Sequence, residues 1–175
     1  HHILRNLIAQ GFTGSVYPVN PRAAAVCSVH AYPTIGAVPE AVDLAVIVVP
    51  KPLVLDVARD CVAAGVKSLI VISAGFKEVG PQGAAAEEEL RKIARDAGIR
   101  MVGPNCMGVV NTDPAVRMNA TFAPAMPPFG HAAFVSQSGA LGLNVLDHAR
   151  EYGIGISQFV SVGNKADVSG NDLLL

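Results

Sequence analysis

Two short apolar runs separated by an amphipathic helix limit the folds open to this chain. Leu44–Val49 and Ser68–Ile72 lack an alternation of polar and apolar residues, which is typical of strands buried on both faces of a sheet. Between them, Leu53–Ala64 has apolar residues at helical spacing, and Gly65 would end that helix. Strand, helix and strand in this order form a right-handed crossover between parallel strands. The sequence therefore predicts an α/β fold with a doubly wound parallel sheet.

The same alternation continues along the chain. Ala84–Ala97 is predicted to be a helix whose charge order complements the helix dipole, with Glu87–Glu89 as a solvated helix start. Arg100–Val102 is predicted to be the next strand. Ala132–Val135 and Gly155–Val162 are predicted strands of a second β-α-β unit.

The remaining segments are less regular. Ser15–Val19 is predicted to be a strand, with Pro18 placing it near a strand end. Residues 111–128 lose their periodicity and contain four prolines, which indicates an irregular crossing segment or a linker between two domains. We therefore predict one domain over residues 1–127 and the beginning of another over residues 128–175.

Composition narrows the function classes. The chain has 51% hydrophobic and 15% charged residues and a net charge of −1, which indicates no general attraction for nucleic acid or anionic lipid. Its longest apolar run, Leu44–Val49, is far shorter than the roughly 20 residues of a membrane span. Cys27, Cys61 and Cys106 have no metal-ligand or disulfide spacing, so no metal is expected and the cytoplasm is the expected compartment. Homo-oligomerisation is left open.

Residues at the predicted carboxyl ends of the strands are candidates for a binding site, because ligands of open α/β sheets bind there. These residues are small, polar or basic rather than paired carboxylates, which favours a nucleotide cleft over an acid/base pair. The candidates are Arg22, Pro50, Lys51, Ser73, Ala74, Gly75, Phe76, Asn105 and Cys106.

Two of these candidates have alternative interpretations. Arg22 stands where an NAD-binding fold would carry an acidic residue, and a cation there suits a ribose phosphate. It could equally be a solvated surface arginine. Cys106 is interpreted as a buried residue or a pocket wall rather than a nucleophile, because no adjacent base is evident.

A second candidate site lies where a predicted strand turns directly into a helix. In the stretch Ser136–Gly139, Ser138 is placed to cap the helix, and Gly139 lets the backbone approach a ligand. Unpaired N–H groups and the positive end of a helix dipole favour a phosphate or a carboxylate. The alternative is that Ser138 only caps the helix.

Four ordered motifs, spread over most of the chain, resemble the NDP-forming acyl-CoA synthetases. These enzymes are relatives of the succinyl-CoA synthetase α subunit and include proteins fused to a GNAT-type protein acetyltransferase. The resemblance implies a CoA-binding, Rossmann-like domain followed by the start of a flavodoxin-like ligase domain. The motifs are Ser73–Glu78, Met101–Gly108, Phe134–Leu141 and Phe159–Asp167.

The resemblance also implies roles for particular residues. Arg22 would meet a CoA phosphate, and the loops after residues 49 and 72 would hold the nucleotide and the pantetheine arm. Asn105 and Cys106 would lie where the thiol end arrives. Two further groups of candidates come from the same resemblance: Ser138, Gly139 and Ala140 for the phosphate of a phosphohistidine, and Asn164 and Lys165 for a loop near the acyl or phosphate pocket.

The implied chemistry converts an acyl-CoA, phosphate and a nucleoside diphosphate into the acid, CoA and a nucleoside triphosphate through a phosphohistidine. The family's glycine-rich loop is expected before residue 1, and the phosphohistidine and the ATP-grasp part that binds ADP, ATP and Mg²⁺ are expected downstream. No catalytic residue is therefore assigned within this chain.

Three functions remain open from the sequence. The first is the CoA-binding part of an active ligase, whose partners are a CoA thioester and the remainder of the ligase. The second is a regulatory, CoA-sensing domain attached to a GNAT acetyltransferase module. The third is an NAD(P)-binding dehydrogenase domain, which the missing acidic residue argues against.

Overall fold

A computed structural model describes residues 1–174, which form two compact units. The first unit joins His1–Pro33 to Met107–Ser161, and the second joins Thr34–Cys106 to the chain from Val162 onward. Each unit is therefore built from two separate stretches of sequence. The domain boundary between residues 127 and 128 remains a prediction.

The second unit contains the predicted parallel sheet. Strands β3 (Leu44–Ile47), β4 (Ser68–Val71) and β5 (Arg100–Val102) lie in the order β3-β4-β5 and are all parallel. Helix α2 (Lys51–Ala63) connects the first two strands, and α3 (Pro81–Asp96) connects the last two. This arrangement confirms the predicted β-α-β units. Short 3₁₀ turns at Ile35–Ala37 and Lys77–Val79 complete the unit.

Apolar residues spaced one or two turns apart on α2 and α3 form the core of the second unit with the strands. The prediction that Glu87 is a solvated helix-start residue is wrong, because the residue is only 6% exposed. The helix begins at Pro81, so Glu87 lies in its second turn, on the face that also buries Gly83 and Leu90. The fully or nearly fully buried members of this core are Ile47, Val54, Ala58, Cys61, Val66, Leu69, Val71, Phe76, Leu90, Ala94 and Met101.

An extended segment after residue 163 pairs with the chain at and just beyond β5. The Asn164 N–H donates to the Pro104 carbonyl at 2.9 Å, the Ala166 N–H to Gly103 at 3.1 Å and the Val168 N–H to Met101 at 3.1 Å. These bonds satisfy backbone groups that an edge strand would otherwise leave unpaired. Helix α5 (Gly170–Leu173) follows this segment.

The first unit holds a mixed sheet in the order β7-β6-β9-β8. Its strands are β6 (Gly108–Asn111), β7 (Met118–Thr121), β8 (Phe129–Ser136) and β9 (Ile156–Ser161), and α4 (Gly139–Glu151) connects the last two. Strands β8 and β9 are parallel, whereas β6 is antiparallel to both of its neighbours. The α/β fold class is confirmed, with one parallel and one mixed sheet.

The prediction of an irregular linker over residues 111–128 is wrong, because this stretch contains β7 and the turn that joins it to β6. The turn closes on Asp113, whose carbonyl accepts the N–H groups of Val116 and Arg117, each at 2.8 Å. Strand β7 buries Asn119 and Thr121 completely, and each finds hydrogen-bond partners within the unit. Buried polar residues remove the apolar pattern by which a strand is predicted.

The prediction of a strand over Ser15–Val19 is also wrong. This stretch forms only an isolated bridge between Val19 and Tyr32. Pro18 has no N–H, so it contributes only its carbonyl, which accepts the Tyr32 N–H at 2.8 Å. The nearby pairing lies instead in the hairpin of β1 (Ala25–Val26) and β2 (Val29–His30).

Helix α1 (His2–Ala9) is anchored to the first unit's sheet through a buried amide. The Asn6 side-chain Nδ2 donates to the carbonyls of Thr121 and Ala123, at 2.8 and 2.7 Å.

The first unit has a core of its own under α4. Its buried members are Met107, Val110, Ala123, Leu146, Ala149, Ile156 and Phe159.

Candidate functional site

The carboxyl ends of β3, β4 and β5 bring together the candidates of the second unit. The Ser73 hydroxyl donates to the Val49 carbonyl at 2.5 Å, which ties the chain after β4 to the chain after β3. The Asn105 N–H donates to the Ser73 carbonyl at 3.0 Å, which ties the chain after β5 to the same loop. The predicted assembly of these loops at one edge of the parallel sheet is therefore present.

Lys51 and Gly75 lie side by side at this edge. Gly75 has a φ of +103°, and a Cβ added there would lie 3.2 Å from Lys51 Cγ. The loop can thus approach the lysine stem only because residue 75 has no side chain. Lys51 is half-buried and is the first residue of the 13-residue helix α2, whose N-terminal N–H groups add positive potential. An anionic ligand suits this combination of a cation and a helix start.

The backbone amides of Gly75 and Phe76 are occupied by an internal carboxylate. Glu78 Oε1 accepts the N–H of Gly75 at 2.5 Å and that of Phe76 at 3.1 Å. The Phe76 ring is fully buried in the core. These two amides are therefore already satisfied within the loop.

Hydrogen bonding favours the ionised form of Glu78 and lowers the pKa of its carboxyl. Partial burial would raise the pKa of its carboxyl, but the bonds from the Asn164 amide and from the N–H groups of Gly75 and Phe76 outweigh burial and lower that pKa. The carboxylate is therefore a stable acceptor for the loop amides.

Asn105 and Cys106 differ in how far they reach solvent. Asn105 is exposed and has a φ of +55°, a left-handed conformation that asparagine tolerates. Cys106 is buried, and its thiol lies 3.3 Å from the Val71 carbonyl. The interpretation of Cys106 as a buried residue or wall fits this placement better than that of a nucleophile.

Asn164 and Lys165 join the same site from a distant part of the sequence. The Asn105 side-chain Nδ2 donates to Asn164 Oδ1 at 3.3 Å. Asn164 is only 6% exposed, whereas Lys165 is exposed and has a φ of +57°. A lysine in this left-handed conformation is uncommon, and such conformations concentrate at functional sites.

Three further residues belong to this site, although the sequence did not indicate them as site residues. Lys77 and Glu78 both stand inside the motif Ser73–Glu78, but the motif does not show which groups they contact. Glu87 gave no signal, because charged residues near a helix start are usually solvated. In the structure, Lys77 Nζ lies 3.1 Å from Glu87 Oε1.

Arg22 belongs to the first unit. It is exposed, and its backbone N–H donates to Asn20 Oδ1 at 2.9 Å, which closes the turn after the Val19 bridge. This geometry is a local turn motif, and the phosphate contact proposed for the Arg22 side chain remains a prediction.

The second candidate site, also in the first unit, has the predicted strand-turn-helix form. Ser138 caps α4, with its hydroxyl accepting the Leu141 N–H at 3.3 Å. The Ser136 hydroxyl donates to the Ser138 carbonyl at 2.9 Å, which shapes the turn. Gly139 and Ala140 are the first two residues of the helix. The cap is confirmed, and phosphate binding at this helix start remains a prediction.

Residues 1–174 contain neither a metal-ligand cluster nor a membrane-spanning helix. No group of three or more His, Cys, Asp or Glu side chains in this range could hold a metal ion. No helix in the same range is long and apolar enough to cross a membrane.

Comparison with protein families gives two adjoining matches. The family of CoA binding domains matches residues 1–112. The family of succinyl-CoA ligase like flavodoxin domains matches residues 129–175.

Individual proteins agree with these matches. The ADP-forming acetate-CoA ligase I of Archaeoglobus fulgidus is 45% identical over 172 residues, which are 98% of this chain and 24% of that protein. The α subunit of ADP-forming acetate-CoA ligase I of Pyrococcus furiosus is 43% identical over 176 residues, covering 98% of this chain and 38% of the relative. The solved apo form of the dinucleotide forming acetyl-coenzyme A synthetase 1 of Ca. Korarchaeum cryptofilum is 50% identical, with a TM-score of 0.93 over 99% of this chain and 37% of that one. The chain thus spans between about a quarter and two fifths of these proteins.

Proposed function

The chain belongs to the CoA binding domain family, and from this membership we propose that it forms the CoA-binding part of an ADP-forming acyl-CoA ligase. The substrate at the edge of the parallel sheet is a CoA thioester or CoA itself. Residues 1–127 form the CoA-binding part in this proposal, and residues 128–175 begin the flavodoxin-like part.

One observation supports the position of the CoA site more than any other. Lys51, the Ser73–Gly75 loop and Asn105 meet at the carboxyl ends of three parallel strands, where open α/β sheets bind nucleotides. In our proposal, Lys51 and the start of α2 meet a CoA phosphate, and Pro50, Ser73 and Ala74 flank the nucleotide and pantetheine.

The thiol end of CoA is proposed to lie near Asn105. Cys106 backs this position as part of the wall, and the exposed Lys165 is the cation proposed to face the acyl or phosphate group. The contact of Arg22, in the first unit, with a CoA phosphate stays a prediction from the resemblance. The chemistry assigned to each residue is binding and orientation, and none of them forms a bond with the substrate.

The longer protein is proposed to convert an acyl-CoA, phosphate and ADP into the acid, CoA and ATP through a phosphohistidine. Within this chain, the start of α4 at Ser138, Gly139 and Ala140 would stabilise the phosphoryl group on that histidine through N–H groups and the helix dipole. ADP, ATP and Mg²⁺ are proposed to bind through other segments of the longer protein.

The two alternatives have less support. Membership in a CoA binding family favours CoA over NAD(P), against a dehydrogenase domain. The named relatives are ligases or ligase subunits, which favours the remainder of a ligase over a GNAT module as the partner. The cytoplasm is the proposed compartment, and a homo-oligomer is a further proposal that follows from neither comparison.

Isothermal titration of the chain with CoA and with NADPH tests this function. We expect CoA to bind and NADPH not to bind. Lys51→Ala should weaken CoA binding about tenfold, because it removes one charged contact to a phosphate. The matched control is Lys67→Ala, which removes an exposed lysine of the same unit just before β4, at the opposite end of the strand from the site.

Three results would contradict the proposal. They are tighter binding of NADPH than of CoA, equal CoA affinity of the native chain and Lys51→Ala, and an equal loss of affinity in both lysine variants.

A further inference from the structure

A single buried amide in the second unit holds two carboxylates. Asn164 Nδ2 donates to Glu78 Oε2 at 2.5 Å and to Glu87 Oε2 at 2.8 Å. Glu87 and Asn164 are each only 6% exposed. The two glutamates come from different elements, the 3₁₀ turn at Lys77–Val79 and helix α3, and they meet at this amide.

The charge of this cluster explains why a neutral donor is needed there. Two carboxylates face one cation, Lys77, whose Nζ lies 3.1 Å from Glu87 Oε1 and also donates to the Asn164 carbonyl. Like charges this close repel unless donors lie between them. The Asn164 amide supplies donors to both carboxylates; it is buried together with Glu87, whereas Lys77 and Glu78 are exposed.

The effect of Asn164 reaches the proposed CoA loop through Glu78. One oxygen of Glu78 accepts from Asn164, and the other accepts the N–H groups of Gly75 and Phe76. Asn164 Oδ1 in turn accepts from the Asn105 side chain. A single side chain therefore links the loop after β4, the loop after β5 and the beginning of α3.

We propose that Asn164 is a positioning residue that fixes the Gly75–Phe76 backbone of the CoA loop through Glu78. This inference rests on the proposed function, and it gives Asn164 a role beyond the expectation that its loop lies near the acyl or phosphate pocket. Its amide nitrogen already donates to two carboxylates, its oxygen accepts from Asn105, and the residue is only 6% exposed, which favours an action on CoA through the loop.

Amide hydrogen exchange tests the positioning role without a ligand. In Asn164→Ala, Glu78 loses its buried donor, and the N–H groups of Gly75 and Phe76 should exchange about tenfold faster. The control is Asn171→Ala, which removes an exposed asparagine of α5 in the same unit and should leave both amides as they are. Unchanged exchange at Gly75 and Phe76 in Asn164→Ala would overturn the proposal.

A charge-conserving swap separates positioning from a general loss of structure. In the double variant Asn164→Asp with Glu78→Gln, the new glutamine amide donates to the new aspartate, while its oxygen still accepts the two loop amides. We expect this swap to slow exchange relative to Asn164→Asp alone, because two carboxylates, the new aspartate and Glu87, then remain where three meet in the single variant. Failure of the swap to slow exchange at Gly75 and Phe76 would also overturn the proposal.

Titration with CoA completes the test. Asn164→Ala should weaken CoA binding about tenfold, and the swap should recover part of that loss. If the native chain does not bind CoA, the proposed function is wrong, whereas the exchange results still decide whether Asn164 positions the loop. Asn164→Ala could also show faster exchange at Gly75 and Phe76 and yet bind CoA as tightly as the native chain. That result would overturn the link between the loop position and the CoA site.

Discussion

At the scale of single residues, the proposed CoA site depends on what its side chains already contact. The strand-end residues Lys51 and Ser73 could be identified from sequence, because parallel strands place their following loops at a common edge. The roles of Glu78 and Glu87 could not, because each depends on a partner, Asn164, that lies more than 70 residues away in sequence. The sequence pattern around Glu78 and Glu87 does not indicate so distant a partner.

Gly75 gives a prediction at this scale. Gly75→Ala should destabilise the chain by about 1 to 3 kcal/mol, because an alanine there would be strained at a φ of +103° and its Cβ would lie 3.2 Å from Lys51 Cγ. It should also weaken CoA binding, since the loop would move away from Lys51. Chemical denaturation measures the first effect and calorimetry the second.

Gly36→Ala is the matched control for Gly75. Gly36 lies in the same unit, and a Cβ added there would have no atom within 4 Å. Its effect on the free energy of unfolding should stay within about 0.5 kcal/mol. If the two alanine variants are equally stable, the close approach of the loop to Lys51 has no energetic consequence.

At the scale of secondary structure elements, the spacing of apolar residues predicted helices and strands well. It could not predict a strand whose buried residues are polar. Helices α2 and α3 and the strands between them were predicted because their buried faces are nearly all apolar. Strand β7 was missed because Asn119 and Thr121, two of its three buried residues, are polar. Their side chains satisfy each other, with Thr121 Oγ1 donating to Asn119 Oδ1 at 2.6 Å, so burial costs little.

The packing of α4 gives a prediction at this scale. A Cβ on Gly142 would lie 2.5 Å from Cζ of Phe159, a fully buried ring of β9 that stacks on Phe134. Overpacking of this kind costs about 1 to 3 kcal/mol, which exceeds the gain of about 1 kcal/mol from alanine in a helix. Gly142→Ala should therefore lower the midpoint of thermal unfolding.

Gly139→Ala is the comparison on the same helix. Its Cβ would lie 3.6 Å from Met107 Cβ, an ordinary contact, so the unfolding midpoint should stay unchanged or rise. A higher midpoint for Gly142→Ala than for Gly139→Ala would show that α4 does not need a glycine to approach β9.

At the scale of the whole molecule, neither compact unit is one continuous stretch of the chain. A change in composition suggested a boundary between residues 127 and 128. Such a change is a local feature of the sequence and does not show which strands pair. In the structure, β6 and β7 pair into a sheet whose other two strands, β8 and β9, lie after that boundary. The parallel sheet of the second unit likewise receives the Asn164–Val168 segment at β5. Sequence periodicity predicts strands well but does not indicate which distant strand will pair with them.

A chain that ends at residue 127 tests whether the predicted boundary delimits an autonomous domain. Such a fragment would lack β9, which pairs with β6 along Gly108–Asn111, and the Asn164–Val168 segment that pairs at β5. We expect it to unfold at a lower temperature and with less cooperativity than the full chain, because both sheets would expose unpaired strand edges.

A chain ending at residue 169 is the control, since it keeps both sheets and loses mainly α5. The loss of α5 removes the exposed Arg100–Asp172 ion pair, which costs little because surface pairs contribute little to stability. Differential scanning calorimetry of the three chains measures these transitions. If the 127-residue fragment unfolds cooperatively at the same midpoint as the full chain, the two discontinuous units do not depend on their second segments for stability.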